Sequence, residues 1–311
     1  MRAGTLPTDS TQALQKDDRH DGARMARLVR SAGRGLARVW EKTSQAGPVA
    51  WFILMLVVVY GSFLPLALFS FNDSIVVAFP LRGFTLRWYS EALADPGLRQ
   101  ALGNSIGVAA AVALATVVEG TLGALAIVRF RYRGRSAVTG LMVAPLVVPW
   151  LVTGIAALLF FNYLHVPLGL FTVGIMHVVV IFPFVAFLIA SQLTAIGREQ
   201  EESALDLGAT QLEVIIYVLL PQLAPVLGAS AILAFNWSFN NFVISYFVSG
   251  FQELFPVHIY SMLRHAQNLP VINAISTLIS VVQVLLFYLA WRLVRRTGVE
   301  SGAALLGGRG L

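Results

Sequence analysis

Between two long apolar runs the chain carries REQEESALDLGATQLEVIIYVLLP, Arg198 to Pro221. Glu199, Glu201, Glu202, Asp206 and Glu213 fall within it. A bilayer core does not accept that density of carboxylates, so the segment must lie in water or against another protein. It also carries helix punctuation. Glu201 to Leu207 are helix formers, and Gly208 follows where a left-handed residue would end a short helix. A second helix is expected from about Gln211 to Pro221. The segment thus reads as two short helices with a bend, held between membrane spans.

Composition agrees with a membrane protein. The 311 residues are 57% apolar and 12% charged, against about 25% charged in an ordinary soluble domain. Cys is absent, which excludes disulfides, thiolate metal sites and cysteine nucleophiles. The first 47 residues are polar and basic, with no apolar core of the signal-peptide kind.

Six apolar stretches are long enough to cross a hydrocarbon core of about 30 Å. They run at about 50–71, 102–128, 137–161, 170–194, 222–248 and 271–293. Pro65 is expected to kink the first, and Pro145 and Pro149 lie inside the third. Trp88 and Tyr89 suit a bilayer interface. The expected organisation is a basic cytoplasmic tail over 1–48, a transmembrane domain over 49–297, and a cytoplasmic tail over 298–311.

Lys and Arg set the orientation. With the N-terminus inside, only Arg82, Arg87, Arg99 and Arg264 of the 22 basic residues fall outside. This is the positive-inside asymmetry, and it places both termini and the Glu202 loop in the cytoplasm. It also accounts for the net charge of +6 without nucleic acid as a partner. Arg24, Arg27, Arg30, Arg34 and Arg38 share one helical face, which suits an amphipathic helix on anionic lipid. The alternative is that these Arg residues only fix topology.

The polar loop resembles one family signature. Permease subunits of bacterial ABC importers carry a loop reading EAA, then Gly, then Ile-x-Leu-Pro. Glu202, Ser203, Ala204, Gly208, Val218, Leu220 and Pro221 match it in spacing, with Ser203 for the second Ala and Val218 for Ile. Further segments resemble the spermidine/putrescine group of these permeases. They are FNDS, GFTLRWYSEAL from Gly83, NSIGVA from Asn104, ISYFVSG from Ile244 and IYSMLR from Ile259.

The resemblance implies an all-α, six-span permease core of the type I importer fold, with a cytoplasmic coupling helix, in the bacterial inner membrane. It implies four kinds of partner besides membrane lipid. These are a second permease subunit, identical or not, two cytoplasmic ATPase subunits, and a periplasmic substrate-binding protein. ATP and Mg would be bound by the ATPase subunits, with no cofactor or metal in this chain. Coupling would fall to Glu201, Glu202, Ser203, Ala204, Leu205, Leu207, Gly208 and Pro221. The apolar members would touch the ATPase, and Glu201 and Glu202 would be available to its Arg or Lys residues.

The residues agree with an external energy source. A P-loop needs Gly-Lys followed by Ser or Thr. The only lysines, Lys16 and Lys42, follow Gln15 and Glu41.

Intramembrane polar residues are the candidates for a solute pathway. The densest group is FNWSFNNFVIS, with Asn236, Trp237, Ser238, Asn240, Asn241 and Ser245. On a continuous helix Asn236 and Asn240 share one face, and Trp237, Ser238, Asn241 and Ser245 another. Lining a pathway and hydrogen bonding between helices are both open. The resembling polyamine permeases often hold two acidic residues where this chain has Asn240 and Asn241. Two amides carry no charge where the family has carboxylates, so the resemblance implies a solute that is polyamine-like, opine-like, or another small organic cation or zwitterion. Glu119 reads either as a proton or cation site or as a buried structural hydrogen bond. His177 reads as a packed, hydrogen-bonded residue, and the five His residues show no metal spacing.

Two other classes fit less of the chain. A secondary transporter driven by an ion gradient would not need the signature loop and often shows inverted repeats. A membrane enzyme would need a catalytic constellation that the amides and hydroxyls do not form.

Overall fold

The computed structural model describes residues 47–265 and 268–295. The possible basic helix over Arg24 to Arg38 and the C-terminal tail lie outside the described residues. Residues 66–311 form one compact unit, and most of the first helix belongs to the other, Met1–Pro65.

The described residues are helical almost throughout. The first helix, α1 (Gly47–Ser70), is 24 residues of apolar sequence. Its regular pattern is interrupted at Ser62, three residues before Pro65. After it come α2 (Arg87–Ala94), α3 (Pro96–Val128), α4 (Arg135–Val147), α5 (Trp150–Tyr163) and α6 (Leu170–Ala195). A short polar helix, α7 (Glu199–Asp206), precedes α8 (Gln211–Phe239). The chain then forms α9 (Phe242–Val248), α10 (Phe255–Arg264) and α11 (Leu269–Arg295). Among the described residues five helices are long and apolar enough to cross a membrane, and a sixth span results if the bent α4–α5 pair counts as one.

Local chemistry explains the boundaries. Asp95 caps α3 by accepting from Leu98 N at 2.9 Å, and Pro96 occupies the first turn, where no N–H is needed. At 33 residues, α3 is about 50 Å long at the usual rise and exceeds the hydrocarbon thickness. The expected continuous third span is instead broken. Val148 is extended before Pro149, and α4 and α5 meet at 101°. Pro145 stays inside α4.

The expected fifth span is revised at both ends. It does not start after Pro221, because α8 passes through that proline. A π-helical turn over Val214–Leu219 stands just before it. A widened turn of this kind accommodates the carbonyl that the proline ring would crowd. Nor does the span reach Val248 unbroken. It stops at Phe239, and α9 begins after Asn240 and Asn241.

The main core forms where α3 packs along α6, with α8 against both. Val112, Val173, Val180, Ile181, Val185, Ile189 and Leu223 are fully buried there. A second cluster joins Trp88, Leu98, Phe239, Phe255 and Ile275. Trp88 is therefore a packed residue, not an interface anchor, and its indole Nε1 donates to Asn72 O at 2.8 Å. Tyr89 reaches Ser70 Oγ at 2.7 Å.

Two glycines are fixed by close approach. At Gly120 a Cβ would stand 2.8 Å from Val185 Cγ1 and 3.2 Å from the Ala186 backbone N, so α3 and α6 meet closest there. Gly250 has φ +58°, and a Cβ would stand 2.7 Å from Leu168 O. Both strain and overlap oppose a side chain at Gly250. We expect Gly250→Ala to lower stability by about 1–3 kcal/mol, read as a lower thermal midpoint of the purified protein in detergent. A midpoint equal to that of the wild type would contradict this close packing.

Candidate coupling site and solute groove

The helix α7 ends in a Schellman motif. Gly208 has φ +91°, its N–H donates to Leu205 O at 2.9 Å, and Ala209 N donates to Ala204 O at 3.0 Å. Two residues later a capping box starts α8. Thr210 N donates to Glu213 Oε2 at 2.7 Å, and Glu213 N donates to Thr210 Oγ1 at 3.3 Å. One helix stop and one helix start thus meet at a four-residue elbow, 207–210.

The side chains of this segment divide into two groups. Leu207 is 90% exposed and Leu212 is 65% exposed. Glu202, Ser203, Gly208 and Pro221 are also exposed, and Leu205 is partly so. Ala204 is half-buried, and the Ser203 hydroxyl donates back to Glu199 O. Glu201 is turned inward. Its Oε1 stands 2.6 Å from Arg129 Nη2, and the two side chains are only 14% and 11% exposed. Glu201 is therefore not free for a basic residue of another protein, which corrects the expectation. Glu202 is free of such a partner among the described residues.

The Arg129–Glu201 pair has favourable surroundings. Arg129 follows the C-terminus of α3, where a cation suits the helix dipole, and Glu201 lies in the first turn of α7, where an anion does. Arg129 Nη2 also donates to Ile196 O at 3.0 Å, and Arg198 Nη2 reaches Val128 O at 3.4 Å. Gln222 Nε2 donates to Gln200 Oε1 at 2.7 Å and ties α7 to α8. A cavity of 230 Å³ lies beneath α7, lined by Arg129, Arg198, Glu201, Leu205 and Val214 among others. The short helix is thus fastened to α3 as well as to its sequence neighbours.

A second site lies at the α8–α9 break. Asn236, Trp237, Asn240 and Asn241 line a groove of 390 Å³ with Trp150, Phe184, Leu233 and Phe287. Trp237 lies between Trp150 and Phe184, at ring separations of 5.8 and 5.0 Å. Trp237 lines the groove from the same helix as Asn236, and past the break after Phe239 Asn240 and Asn241 join them. Continuous helical phasing put Trp237 and Asn241 on a different face from Asn236 and Asn240.

Ser238 and Ser245 are buried outside the groove lining. Ser238 Oγ is 2.8 Å from His177 Nδ1, and Ser245 Oγ is 3.2 Å from His177 Nε2. His177, on α6, thereby bridges the two sides of the break. Neither serine lines the groove, so neither belongs to a pathway there.

Glu119 is exposed on the single chain. It lies on a 720 Å³ groove between α3 and α6 with Gly103, Gly107, Ala111 and Ala115. Among the described residues no group of His, Asp and Glu could hold a metal ion.

Sequence reasoning missed Arg129 as the partner of Glu201. It also missed the bridging role of His177 and the hydrogen bond that Gln283 Nε2 donates to Asn240 Oδ1 at 2.8 Å. The Thr210-x-x-Glu213 box was a readable signal for the start of α8.

Comparison with known proteins fits this geometry. Residues 119–298, more than half of the chain, match the family described as binding-protein-dependent transport system inner membrane component. Over 258 residues the chain is 36% identical to the putrescine transport system permease protein PotI of Escherichia coli (strain K12), covering 79% of this chain and 91% of that protein. It is 32% identical over 228 residues to the spermidine/putrescine transport system permease protein PotC of the same strain, covering 73% and 85%. Among solved structures, a bacterial alginate ABC transporter in complex with an alginate pentasaccharide-bound periplasmic protein aligns with TM-score 0.64 at 15% identity. That alignment covers 85% of this chain and 96% of that one. A second structure, of a bacterial ABC transporter importing alginate, gives TM-score 0.60 at 17% identity, covering 80% and 95%. At these identities the structural likeness is one of fold. The chain belongs to the inner membrane components of binding-protein-dependent transport systems, as a permease subunit of an ABC importer.

Proposed function

We propose that this subunit carries a small organic solute inward from a periplasmic binding protein, driven by ATP hydrolysis on separate cytoplasmic subunits. The observation that carries the reading is α7. It offers Glu202, and the elbow and first turn of α8 beside it offer Leu207 and Leu212, to a partner, while Glu201 and Gln200 fasten α7 to the rest of the chain. A short helix held this way transmits a partner's closure as a rigid-body movement of the attached spans. Two ATPase subunits, which bind ATP and Mg, would dock at α7 and at its counterpart on a second permease. The groove at Asn236, Trp237, Asn240 and Asn241 would form this chain's part of the solute path. Both termini and α7 face the cytoplasm in this arrangement, as the Arg asymmetry requires. The relatives named for putrescine and spermidine support a small amine-containing solute.

The test is uptake into proteoliposomes holding the chain, its second permease and the ATPase subunits, with binding protein outside. Uptake is expected only with ATP inside and ATPase subunits present. Uptake driven by an ion gradient without them would contradict the proposal and favour a secondary transporter.

A further inference from the structure

The break between α8 and α9 is held by a side chain from another helix. His177 of α6 is buried, with Ser238 near the end of α8 and Ser245 in the first turn of α9 buried against it. The hydroxyl hydrogens fix the direction of each bond. Ser245 Oγ donates its one hydrogen to the Asn241 carbonyl, so toward His177 it can only accept. His177 Nε2 is then the N–H that donates to it, at 3.2 Å. In the neutral ring Nδ1 is left as the acceptor, and Ser238 Oγ donates to it at 2.8 Å. A directed chain thus runs across the break, from Ser238 through His177 and Ser245 to the Asn241 carbonyl.

This chain stands between the two sites already described. Asn240 and Asn241, which line the groove, lie in the break between the two serines. Toward the other end, α6 rises about 27 Å from His177 to Ala195, just before α7. Over that length it is tightly packed. Val180, Ile181, Val185, Ile189 and Leu193 are buried, and Gly120 brings α3 against Val185 and Ala186. Arg129, after α3, holds both Glu201 of α7 and the Ile196 carbonyl that follows α6. Helices packed this closely shift as bodies and do not deform continuously.

We propose that His177 is the positioning residue through which movement of α7 reaches the solute groove. It touches no solute. By holding Ser238 and Ser245 it makes the gap between α8 and α9 follow α6, and with it the placement of Trp237, Asn240 and Asn241. The inference rests on the permease reading above and adds to it where the coupling path ends.

The test uses the complete transporter in lipid nanodiscs, with partner subunits free of Cys. Phe287→Cys, on the groove wall, carries a bimane label on the one thiol of this chain. Indoles quench bimane at short range, so its emission reports the spacing to Trp150 and Trp237. ATP is added with EDTA, which allows binding without hydrolysis, and the emission is expected to change. His177→Phe keeps a ring in place and removes both hydrogen bonds. It is expected to lower the ATP-dependent change about fivefold, while the ATPase subunits still assemble and hydrolyse Mg-ATP. His177→Gln offers both a donor and an acceptor and should retain most of the change. Ser238→Ala and Ser245→Ala should each lower it, and neither should lower it further in the His177→Phe background. The serine variants decide the matter where His177→Phe fails to assemble. A change that persists in full in His177→Phe, or in both serine variants, overturns the inference. So does an equal loss in His177→Gln and His177→Phe, or no ATP-dependent change in the transporter carrying Phe287→Cys alone. Failure of this chain to assemble with ATPase subunits at all overturns the permease reading instead.

Discussion

Gly208→Val is expected to abolish coupled transport while leaving the protein in the membrane at near-normal level. Gly208 has φ +91°, and no neighbouring atom lies within 4 Å of a Cβ built there. The obstacle is therefore the backbone conformation and not space. A β-branched residue at positive φ is a genuine outlier, costing about 1–3 kcal/mol if held in place. The Schellman motif depends on this residue, and so does the angle at which α7 meets α8. The elbow is exposed and far from the α3–α6 core, so the damage is expected to fall on docking and not on folding. Transport is expected to fall about tenfold or more, since strain of about 1–3 kcal/mol is worth about 5- to 150-fold in an equilibrium. Asn visits the left-handed region more readily than other non-glycine residues, so Gly208→Asn should retain much more transport. Equal transport by both variants, at equal membrane level, would remove the conformational role.

The second large effect is expected at Arg129. Its ion pair with Glu201 is mostly buried, so Arg129→Ala leaves a carboxylate without its cation. Breaking a buried pair from one side costs about 3–5 kcal/mol in the fully buried limit. The same change removes the donor to Ile196 O. Both links made by the Arg129 side chain are thereby lost, and the longer contact of Arg198 Nη2 with Val128 O at 3.4 Å still joins α3 to the start of the polar loop. Transport is expected to fall by about tenfold or more, with ATP hydrolysis less affected, because the docked helix no longer moves α3 with it. The charge-exchanged pair Arg129→Glu with Glu201→Arg puts each charge at the unfavourable helix end. It should therefore recover transport only in part, and still exceed either single change. Uptake and hydrolysis measured together in proteoliposomes check this. If uptake per ATP were unchanged in Arg129→Ala, the pair would be merely structural.

The polar loop was legible because its constraints are local. Charge density excluded it from lipid, Gly208 marked a left-handed stop, and the signature spacing ran from Glu202 to Pro221. The outcome at Pro221 was not legible in the same way. A proline usually argues for a helix end, and only a widened turn over Val214–Leu219 lets α8 continue. The broken spans show the same limit. Hydropathy reads 137–161 and 222–248 as continuous, since it measures burial and not direction. The bend before Pro149 and the break after Phe239 depend on what packs against them.

The groove shows why a face cannot be read across such a break. Periodicity put Asn236 with Asn240 and grouped Trp237 with Ser238, Asn241 and Ser245. Folding instead drew Trp237 and Asn241 into the groove and gave the two serines to His177. His177 is 61 residues before Ser238, so no local pattern announces their contact. Arg129 and Glu201 are likewise joined only by the return of α6 alongside α3.

The central claim is that α7 is where this permease meets its ATPase. The absence of Cys makes it directly testable, because one introduced thiol is the only one in the chain. Leu207→Cys carries the probe at the most exposed position of the elbow, and Leu114→Cys serves as the control on the apolar outer surface of α3. Each variant of the assembled transporter is treated with a thiol-to-amine crosslinker. The account predicts an adduct between Leu207→Cys and the ATPase subunit, with a yield that changes on adding ATP, and none from Leu114→Cys. An active transporter that gives no adduct from Leu207→Cys, or the same adduct from both variants, would contradict it.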